Sequence, residues 1–285
     1  MQSLWMLAAS LLFACMGVCV KLGSTQFSAA ELAFYRSFVA LLLIYGYMRY
    51  AGLSLVTAHW KTHITRSIAG FVSLVTYFSA LSLIPLATAV TLNYTSPLFL
   101  ALLLAFWQRE AIRRLLLFAL GGGFVGVALL LQPAFHSEQI IGGMFGLASG
   151  MVSSIAFLNV RKLGEMGEPE WRTVFYFSLI ATIGGLPWAL SGTSFHAIDA
   201  RGASLLIGVG SFGALAQLCM TRAYGRGKTI ATASLSYSTV AFASIFGIYL
   251  WDDHLPMIAW VGIVLIVVSG ILTNAFSRPA PSTQA

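Results

Sequence analysis

Charged side chains are scarce in this chain of 285 residues. Asp, Glu, Lys and Arg make up 9 % of the sequence, hydrophobic residues make up 58 %, and the mean hydropathy is +0.85. A soluble domain carries roughly 25 % charged residues, so a chain with so few charges cannot cover this much apolar surface in water. The sequence therefore predicts an integral membrane protein without a sizeable soluble domain.

Cysteine and deeply placed acids are also rare. Three cysteines do not form a disulfide framework, and the spacing of Cys15 and Cys19 favours small packing residues over a metal site. All acids except Glu31, and all five histidines, fall at the ends of apolar segments or in loops. An intramembrane enzyme needs a nucleophile–base pair or metal ligands at depth. We therefore expect no enzyme activity, no metal and no cofactor.

Two glycine motifs imitate nucleotide-binding loops but lack the strand that such loops follow. The first is Gly121-x-Gly-x-x-Gly126, and the second is Gly225-Arg-Gly-Lys-Thr229. Because both fingerprints require a strand–turn–helix context, we interpret the first as close helix packing and the second as a basic cytoplasmic turn. Without an ATP site, any transport must be driven by a gradient or by exchange.

Apolar segments are abundant, and a membrane helix needs about 20 mostly apolar residues. Ten such helices are predicted, namely Leu4–Leu22, Ala29–Tyr50, Ile64–Leu83, Ala87–Trp107, Leu115–Leu131, Ile140–Val160, Trp171–Leu190, Ala203–Ala223, Thr229–Trp251 and Met257–Phe276. Residues 1–134 and 135–276 each contain five of them. Residues 277–285 are rich in Pro and Ser and are expected to form a disordered cytoplasmic tail.

Basic residues are distributed unevenly among the loops. The even-numbered loops and the tail hold thirteen Lys and Arg, among them Arg49, Lys61 and Arg66 in the second loop, whereas the odd-numbered loops hold only Lys21 and Arg201. Positive residues favour the cytoplasmic side, so both termini are predicted to be cytoplasmic. No basic region precedes the first apolar segment, which indicates a retained helix and not a signal peptide.

A polar stretch occurs twice in the chain. Asn93-Tyr94 is repeated as Ser236-Tyr237 after 143 residues, and Gly70 falls on Gly213 at the same offset. Because each half contains five helices, an odd number, the sequence predicts two inverted five-helix repeats. A repeated polar segment inside membrane helices points to the binding site of a transporter. Tyr94 is expected in the outer third of helix four and Tyr237 in the inner third of helix nine.

Arg36 lies inside helix two, about 10 Å below the outer surface at 1.5 Å per residue. A charge at this depth is a functional candidate. It is predicted either to bind an anionic group of a substrate or to cap backbone carbonyls of a neighbouring helix. The second repeat has Phe177 at the corresponding position, 141 residues later.

Other polar residues complete a predicted substrate site. Pro97 removes a backbone N–H and frees the carbonyl of Asn93, which predicts either a polar half-site or a packing kink. The predicted substrate-binding residues are Arg36, Tyr77, Asn93, Tyr94, Gln217, Ser236 and Tyr237. Glu31 is the candidate for proton coupling, and the competing interpretations are a surface pair with Lys21 and a charge at a helix start.

The sequence resembles the EamA-type carriers of the drug/metabolite transporter superfamily. The resemblance rests on ten short helices in two halves, on Ala105-Phe-Trp-Gln-Arg-Glu110 before a glycine-rich helix, on its mirror Tyr249-Leu-Trp-Asp-Asp253, and on Glu31-Leu-Ala-Phe-Tyr-Arg36. It implies a central cavity lined by helices one, three, four, six, eight and nine. It also implies export, the direction of most bacterial members.

We therefore predict a secondary transporter that moves a small polar organic metabolite, such as an amino acid or an amine, out across the bacterial inner membrane. The alternatives are uptake of S-adenosylmethionine or riboflavin, export of a metallophore, and a channel or non-transporting membrane protein. Neutral hydrogen-bonding groups with one cation suit a mid-sized polar solute. The predicted partners are this small molecule and the lipid bilayer. No nucleic acid is expected, because the basic residues are scattered.

Overall fold

The computed structural model describes residues 2–84, 86–107, 112–132, 140–190, 195–252, 254 and 256–276. Within these ranges the chain is all-helical, which confirms the predicted all-α class. After a 3-10 turn at Gln2–Leu4, the helices are α1 (Trp5–Gly23), α2 (Ala29–Tyr50), α3 (Trp60–Leu83), α4 (Leu86–Asn93), α5 (Ser96–Phe106), α6 (Arg114–Leu131), α7 (Ile140–Glu165), α8 (Glu170–Leu190), α9 (Ala200–Arg226), α10 (Thr229–Leu235), α11 (Ser238–Trp251) and α12 (Met257–Phe276).

The described ranges contain nine segments that are long and apolar enough to cross a membrane, and α4 with α5 and α10 with α11 each count as one. Helix α3 is a further helix of 24 residues. A polytopic membrane protein is therefore confirmed. The predicted tail at 277–285 and the end of the motif at 105–110 lie outside the described residues.

Predicted helices four and nine are each interrupted near their middle, although both were expected to be continuous. Tyr94 and Thr95 form a turn between α4 and α5, and Ser236 and Tyr237 form a turn between α10 and α11. The two interruptions therefore fall on the repeated polar stretch.

Back-bonded hydroxyls explain why the interruptions occur in both halves. Thr95 Oγ1 donates to the Leu92 carbonyl at 2.5 Å, and Ser236 Oγ donates to the Ala233 carbonyl at 2.7 Å. Such bonds compete with the helical backbone ladder and bend helices. Pro97 contributes only to the first interruption, because the corresponding residue of the second is not a proline.

Helix α3 begins at Trp60, one turn before the predicted Ile64. Arg66, which was counted among the basic residues of the second loop although the predicted helix begins at Ile64, lies in the second turn of α3 and is 2 % exposed. Helix α3 packs against α7 and α8, and the Arg66 guanidinium lies over the Phe177 ring of α8. Helix α9 is also longer than predicted, because it includes most of the expected turn at 224–228.

Glycines set the closest helix crossings. A Cβ on Gly126 would lie 2.7 Å from the carbonyl oxygen of Gly262, and a Cβ on Gly164 would lie 2.3 Å from the Cα of Gly225. Only glycine allows backbones to approach this closely. The glycine motif at 121–126 thus packs α6 against α12, as predicted, and α7 crosses α9 in a similar way.

Helices of the first half pack mainly on helices of the second half. Helix α1 packs against α9 and α11, α3 packs against α7 and α8, and α2 packs against α8 and α9. Hydrogen bonds join residues far apart in sequence: the Lys228 N–H donates to Ser3 Oγ at 2.8 Å, and Gln26 Nε2 donates to the Ala197 carbonyl at 3.0 Å. The two halves therefore share one interior.

Candidate functional site

Two arginines meet between α2, α3, α8 and α9. The guanidinium carbon of Arg66 lies 4.1 Å from the centroid of the Phe177 ring, and that of Arg36 lies 6.0 Å from the same centroid. The two cations are close enough to repel each other. We call Arg36, Arg66, Phe177 and Gln217 the arginine cluster.

Three guanidinium nitrogens of the arginine cluster have no hydrogen-bond partner within the described part of the chain. Arg66 Nη2 donates to Gln217 Oε1 at 3.0 Å. Arg66 Nε, Arg66 Nη1 and Arg36 Nε are buried without a hydrogen bond to any described residue. The ion pairs that the structure describes elsewhere in the chain involve other arginines and histidines, and neither Arg36 nor Arg66 takes part in them. A buried charge normally requires a partner, so the cluster is prepared to bind an anion.

Two corresponding glycines make room for the cluster. A Cβ on Gly213 would lie 3.4 Å from Cγ and Nε of Arg36. A Cβ on Gly70 would lie 2.9 Å from the Phe177 ring and 3.3 Å from Arg66 Nη1. Arg36 of the first half therefore packs on Gly213 of the second half, and Phe177 of the second half packs on Gly70 of the first half. This exchange agrees with the sequence offsets of the repeat.

A tyrosine pair lies where the interrupted helices meet. The rings of Tyr94 and Tyr237 have centroids 6.2 Å apart at an angle of 50°. Tyr77 packs against the cluster of Ala80, Ile84, Ala89 and Leu92, whose last two residues lie on α4 just before Tyr94. The expectation that Tyr94 lies in the outer third of helix four and Tyr237 in the inner third of helix nine stays a prediction, but the distance between the rings shows that they are direct neighbours.

The Tyr237 ring is fully enclosed. It is 0 % exposed, and its hydroxyl has no hydrogen-bond partner among the described residues. A Cβ on Gly123 would lie 2.8 Å from the ring, so α6 supports it from one side. The tyrosine pair is therefore a second place, after the arginine cluster, where a buried polar atom has no hydrogen bond to a described residue.

Asn93 does not reach the arginine cluster. Its Nδ2 donates to Ser149 Oγ at 3.0 Å, and Ser73 Oγ donates to the Ser149 carbonyl at 3.0 Å. A Cβ on Gly150 would lie 3.1 Å from the Asn93 carbonyl oxygen, so this carbonyl faces α7. The structure thus shows Asn93 in the packing between α4, α3 and α7, and a substrate contact stays a prediction. Ser236 bonds to its own helix, as described above.

Glu31 caps α2. The Ser28 N–H donates to Glu31 Oε2 at 2.7 Å, the Glu31 N–H donates to Ser28 Oγ, and the His196 N–H donates to Glu31 Oε1 at 2.7 Å. His196 Nδ1 lies 2.8 Å from Glu31 Oε2. The expected alternative of a pair with Lys21 is wrong, because the Lys21 amine lies over the Trp251 ring at 3.8 Å. The helix-start interpretation fits, and proton coupling stays a prediction.

A second carboxylate ties the loop before α3 to the start of α8. Glu168 accepts a hydrogen bond from Thr57 and lies 2.8 Å from Arg172 Nη1 and 3.2 Å from His63 Nε2. Burial by itself raises the pKa of the Glu168 carboxyl, but the hydrogen bonds from Thr57 and Arg172 and the nearby His63 ring outweigh it and lower that pKa. This carboxylate is therefore ionised and structural.

An apolar groove of about 420 Å³ lies between α5 and α7. Its lining residues include Leu102, Phe106 and Ile155, which are exposed on the outside of the helical body. The groove contains almost no polar surface and is remote from both arginines. It suits a lipid chain better than a polar solute, so we do not assign it to the functional site.

The structure adds Arg66 to the predicted site and separates the remaining residues. Arg36, Arg66 and Gln217 lie together, Tyr77, Tyr94 and Tyr237 form a neighbouring group, and Asn93 and Ser236 are engaged in helix packing. Sequence reasoning missed Arg66 because it was counted with a loop. A signal was present: His63, Arg66, Gly70, Ser73 and Tyr77 recur every three or four residues, which is one face of a helix.

Comparison with known proteins supports transport. The profile of the EamA-like transporter family matches residues 1–132 and 140–275. A pseudopaline exporter of Pseudomonas aeruginosa is 32 % identical over 92 % of this chain and 92 % of its own length. An S-adenosylmethionine uptake transporter of Rickettsia bellii is 24 % identical over 98 % of this chain and 95 % of its own. A crystal structure of another protein, 18 % identical, covers 97 % of both chains with a TM-score of 0.86, which shows a shared fold.

Proposed function

Because the chain belongs to the EamA-like transporter family, we propose that it is a secondary transporter and not an enzyme. Its substrate is a small polar organic metabolite that carries a carboxylate, such as an amino acid or a related compound. The membrane is the inner membrane of a bacterium. The observation that carries the proposal is the arginine cluster, in which Arg36 and Arg66 have buried donors without a hydrogen bond to any described residue.

A cation in the middle of membrane helices is costly unless it has a partner. Within the described ranges the protein gives Arg66 one amide oxygen and gives neither arginine a carboxylate. A substrate carboxylate supplies the missing acceptor through charge-assisted hydrogen bonds, which are stronger than neutral ones. Binding there is consistent with a transporter because the cluster lies between helices of both halves.

We propose that the halves at 1–134 and 135–276 are inverted repeats that rock against each other. The reciprocal packing of Arg36 on Gly213 and of Phe177 on Gly70 supports this arrangement. The pairing of α1 with α9 and of α3 with α7 supports it as well. Inverted repeats provide two similar gates around one site. Tyr94 and Tyr237 stand at the two helix interruptions, and we assign them to the closing of the path between the gates.

Export is the favoured direction. The relative that is 32 % identical is named an exporter, and pseudopaline or a similar compound is accordingly a candidate substrate. Uptake of S-adenosylmethionine is the second candidate, because the relative that is 24 % identical is named for it. The two arginines select the charge of the substrate and not the direction in which it moves. The direction of transport is therefore measured separately.

We expect both termini to be cytoplasmic. When Arg66 is removed from the loops, twelve basic residues remain on one side against Lys21 and Arg201 on the other, which still favours this orientation. A reporter that is active only outside the cytoplasm should therefore be inactive when fused after Ala285. A reporter that is active only in the cytoplasm is the control. The opposite pattern would refute the orientation.

Cells that express the protein should differ in one small metabolite from cells that express an inactive variant. We expect this metabolite to be depleted inside and enriched outside, and to show saturable transport in proteoliposomes, which distinguishes a carrier from a channel. Metabolite profiling of cells and medium measures the first effect. If no small molecule changes its distribution, the proposed function is wrong.

A further inference from the structure

We propose that Arg36 and Arg66 form one binding site for an organic dianion, a solute with two carboxylates. The inference rests on the proposed function, because it specifies the substrate class of the same transporter. It goes beyond a single carboxylate bound by Arg36 and gives Arg66 an equal part in recognition.

The charge balance of the cluster requires two negative charges. Both guanidinium groups approach the same Phe177 ring and repel each other. No carboxylate within the described ranges lies at ion-pair distance from either arginine. One carboxylate would leave a cation unpaired in a poorly solvated place, where unpaired charge is costly. Two carboxylates on one solute neutralise both.

The free donors are arranged for two separate contacts. Gln217 occupies Nη2 of Arg66, and this bond leaves Nε and Nη1 of the same guanidinium for an acceptor. Arg36 offers its own buried Nε from a different helix. Because α2 and α3 present one guanidinium each, a solute with carboxylates on two ends or branches can pair with both.

Neighbouring features support a solute between these donors. Thr221, one turn beyond Gln217 on α9, has a buried hydroxyl without a hydrogen bond to any described residue. Ser67, next to Arg66 on α3, has another. Hydroxyls can donate to further oxygens of the solute.

A structural role for Arg66 is the main competing explanation, because its guanidinium packs on the Phe177 ring. The two roles predict different changes in the melting temperature of the substrate-free protein when Arg66 is replaced by glutamine. If Arg66 binds substrate, its unpaired charge destabilises the protein when no substrate is bound. Arg66→Gln should then leave the melting temperature unchanged or raise it. A structural cation stabilises the empty protein, so the same substitution should lower the melting temperature.

The test uses the purified full chain in detergent. Glutarate is the dicarboxylate probe and butyrate is the monocarboxylate control, at equal ionic strength. We expect glutarate to raise the melting temperature of the wild type, butyrate to raise it less, and Arg66→Gln and Arg36→Gln each to remove the difference. Arg66→Lys should retain part of it, since it keeps the charge without the fork geometry. Arg49→Gln, an exposed arginine on α2, is the matched control.

Transport of the metabolite found by profiling provides the second arm. We expect that metabolite to carry two carboxylates and its transport by Arg66→Gln to fall about tenfold to a hundredfold. A metabolite with fewer carboxylates, wild-type transport by Arg66→Gln, equal effects of glutarate and butyrate, or stabilisation by chloride alone would overturn the dianion site. If glutarate binds through both arginines but no metabolite moves, the site stands and the proposed transport function falls.

Discussion

Arg36→Ala should weaken binding of a carboxylate-bearing substrate by roughly 1.5–3 kcal/mol, or about tenfold to a hundredfold. The reason is that the Arg36 Nε is buried without a partner among the residues that the structure describes, so its acceptor is expected to come from the substrate. The folded protein should survive, because the described residues lose no ion pair with Arg36. Substrate titration of the purified variant measures the affinity, and size-exclusion profiles measure folding.

The opposite result is informative because it has a clear structural meaning. If Arg36→Ala yields no folded protein while Tyr94→Ala transports normally, Arg36 stabilises the helices and the substrate binds elsewhere. Arg36→Lys separates charge from geometry, since a lysine keeps the cation but cannot form the paired hydrogen bonds of a guanidinium. We expect an intermediate affinity for this variant.

Gly164→Leu should abolish the folded protein, and Gly164→Ala should destabilise it by about 1–3 kcal/mol. A Cβ on Gly164 would lie 2.3 Å from the Cα and 2.4 Å from the carbonyl oxygen of Gly225. These are backbone atoms, so α7 and α9 must separate to admit a side chain. The melting temperature and the yield of monodisperse protein measure the two effects.

Gly143→Ala is the matched control for this prediction. Gly143 lies on the same helix, and a Cβ there would meet no atom within 4 Å. Alanine also favours a helix over glycine, so this variant should be as stable as the wild type or slightly more stable. If Gly164→Ala melts at the wild-type temperature, the crossing of α7 and α9 is looser than the structure shows.

Hydrophobic composition made most of the fold predictable. The length and apolarity of a membrane helix are local properties, so the positions of the ten predicted helices agree with the helices observed in the described ranges to within about a turn at most ends. The interruptions were not predicted as such, because a back-bonded hydroxyl at Thr95 or Ser236 also occurs in unbroken helices. The repeat marked the right places without showing their conformation.

The candidate site was harder to predict because its contacts join distant segments. Arg66 and Gln217 are 151 residues apart, and Asn93 and Ser149 are 56 apart. A polar side chain on a membrane helix shows only that it needs a partner, and the partner depends on which helices become neighbours. Asn93 and Arg66 are both polar residues within apolar segments, but Asn93 bonds to a serine of α7 and Arg66 bonds to Gln217 of α9.

The packing of each half on the other has a consequence for biosynthesis. Helix α1 finds its main neighbours in α9 and α11, and Ser3 bonds to Lys228, a residue made 225 positions later. Contacts between such distant segments form late and slowly. The first helices must therefore wait in the bilayer with their glycine-rich and polar faces uncovered until the last helices leave the ribosome. During that interval the side chains of Arg36 and Arg66 are exposed to lipid. The nascent chain is therefore more easily recognised and degraded by membrane proteases than the completed transporter.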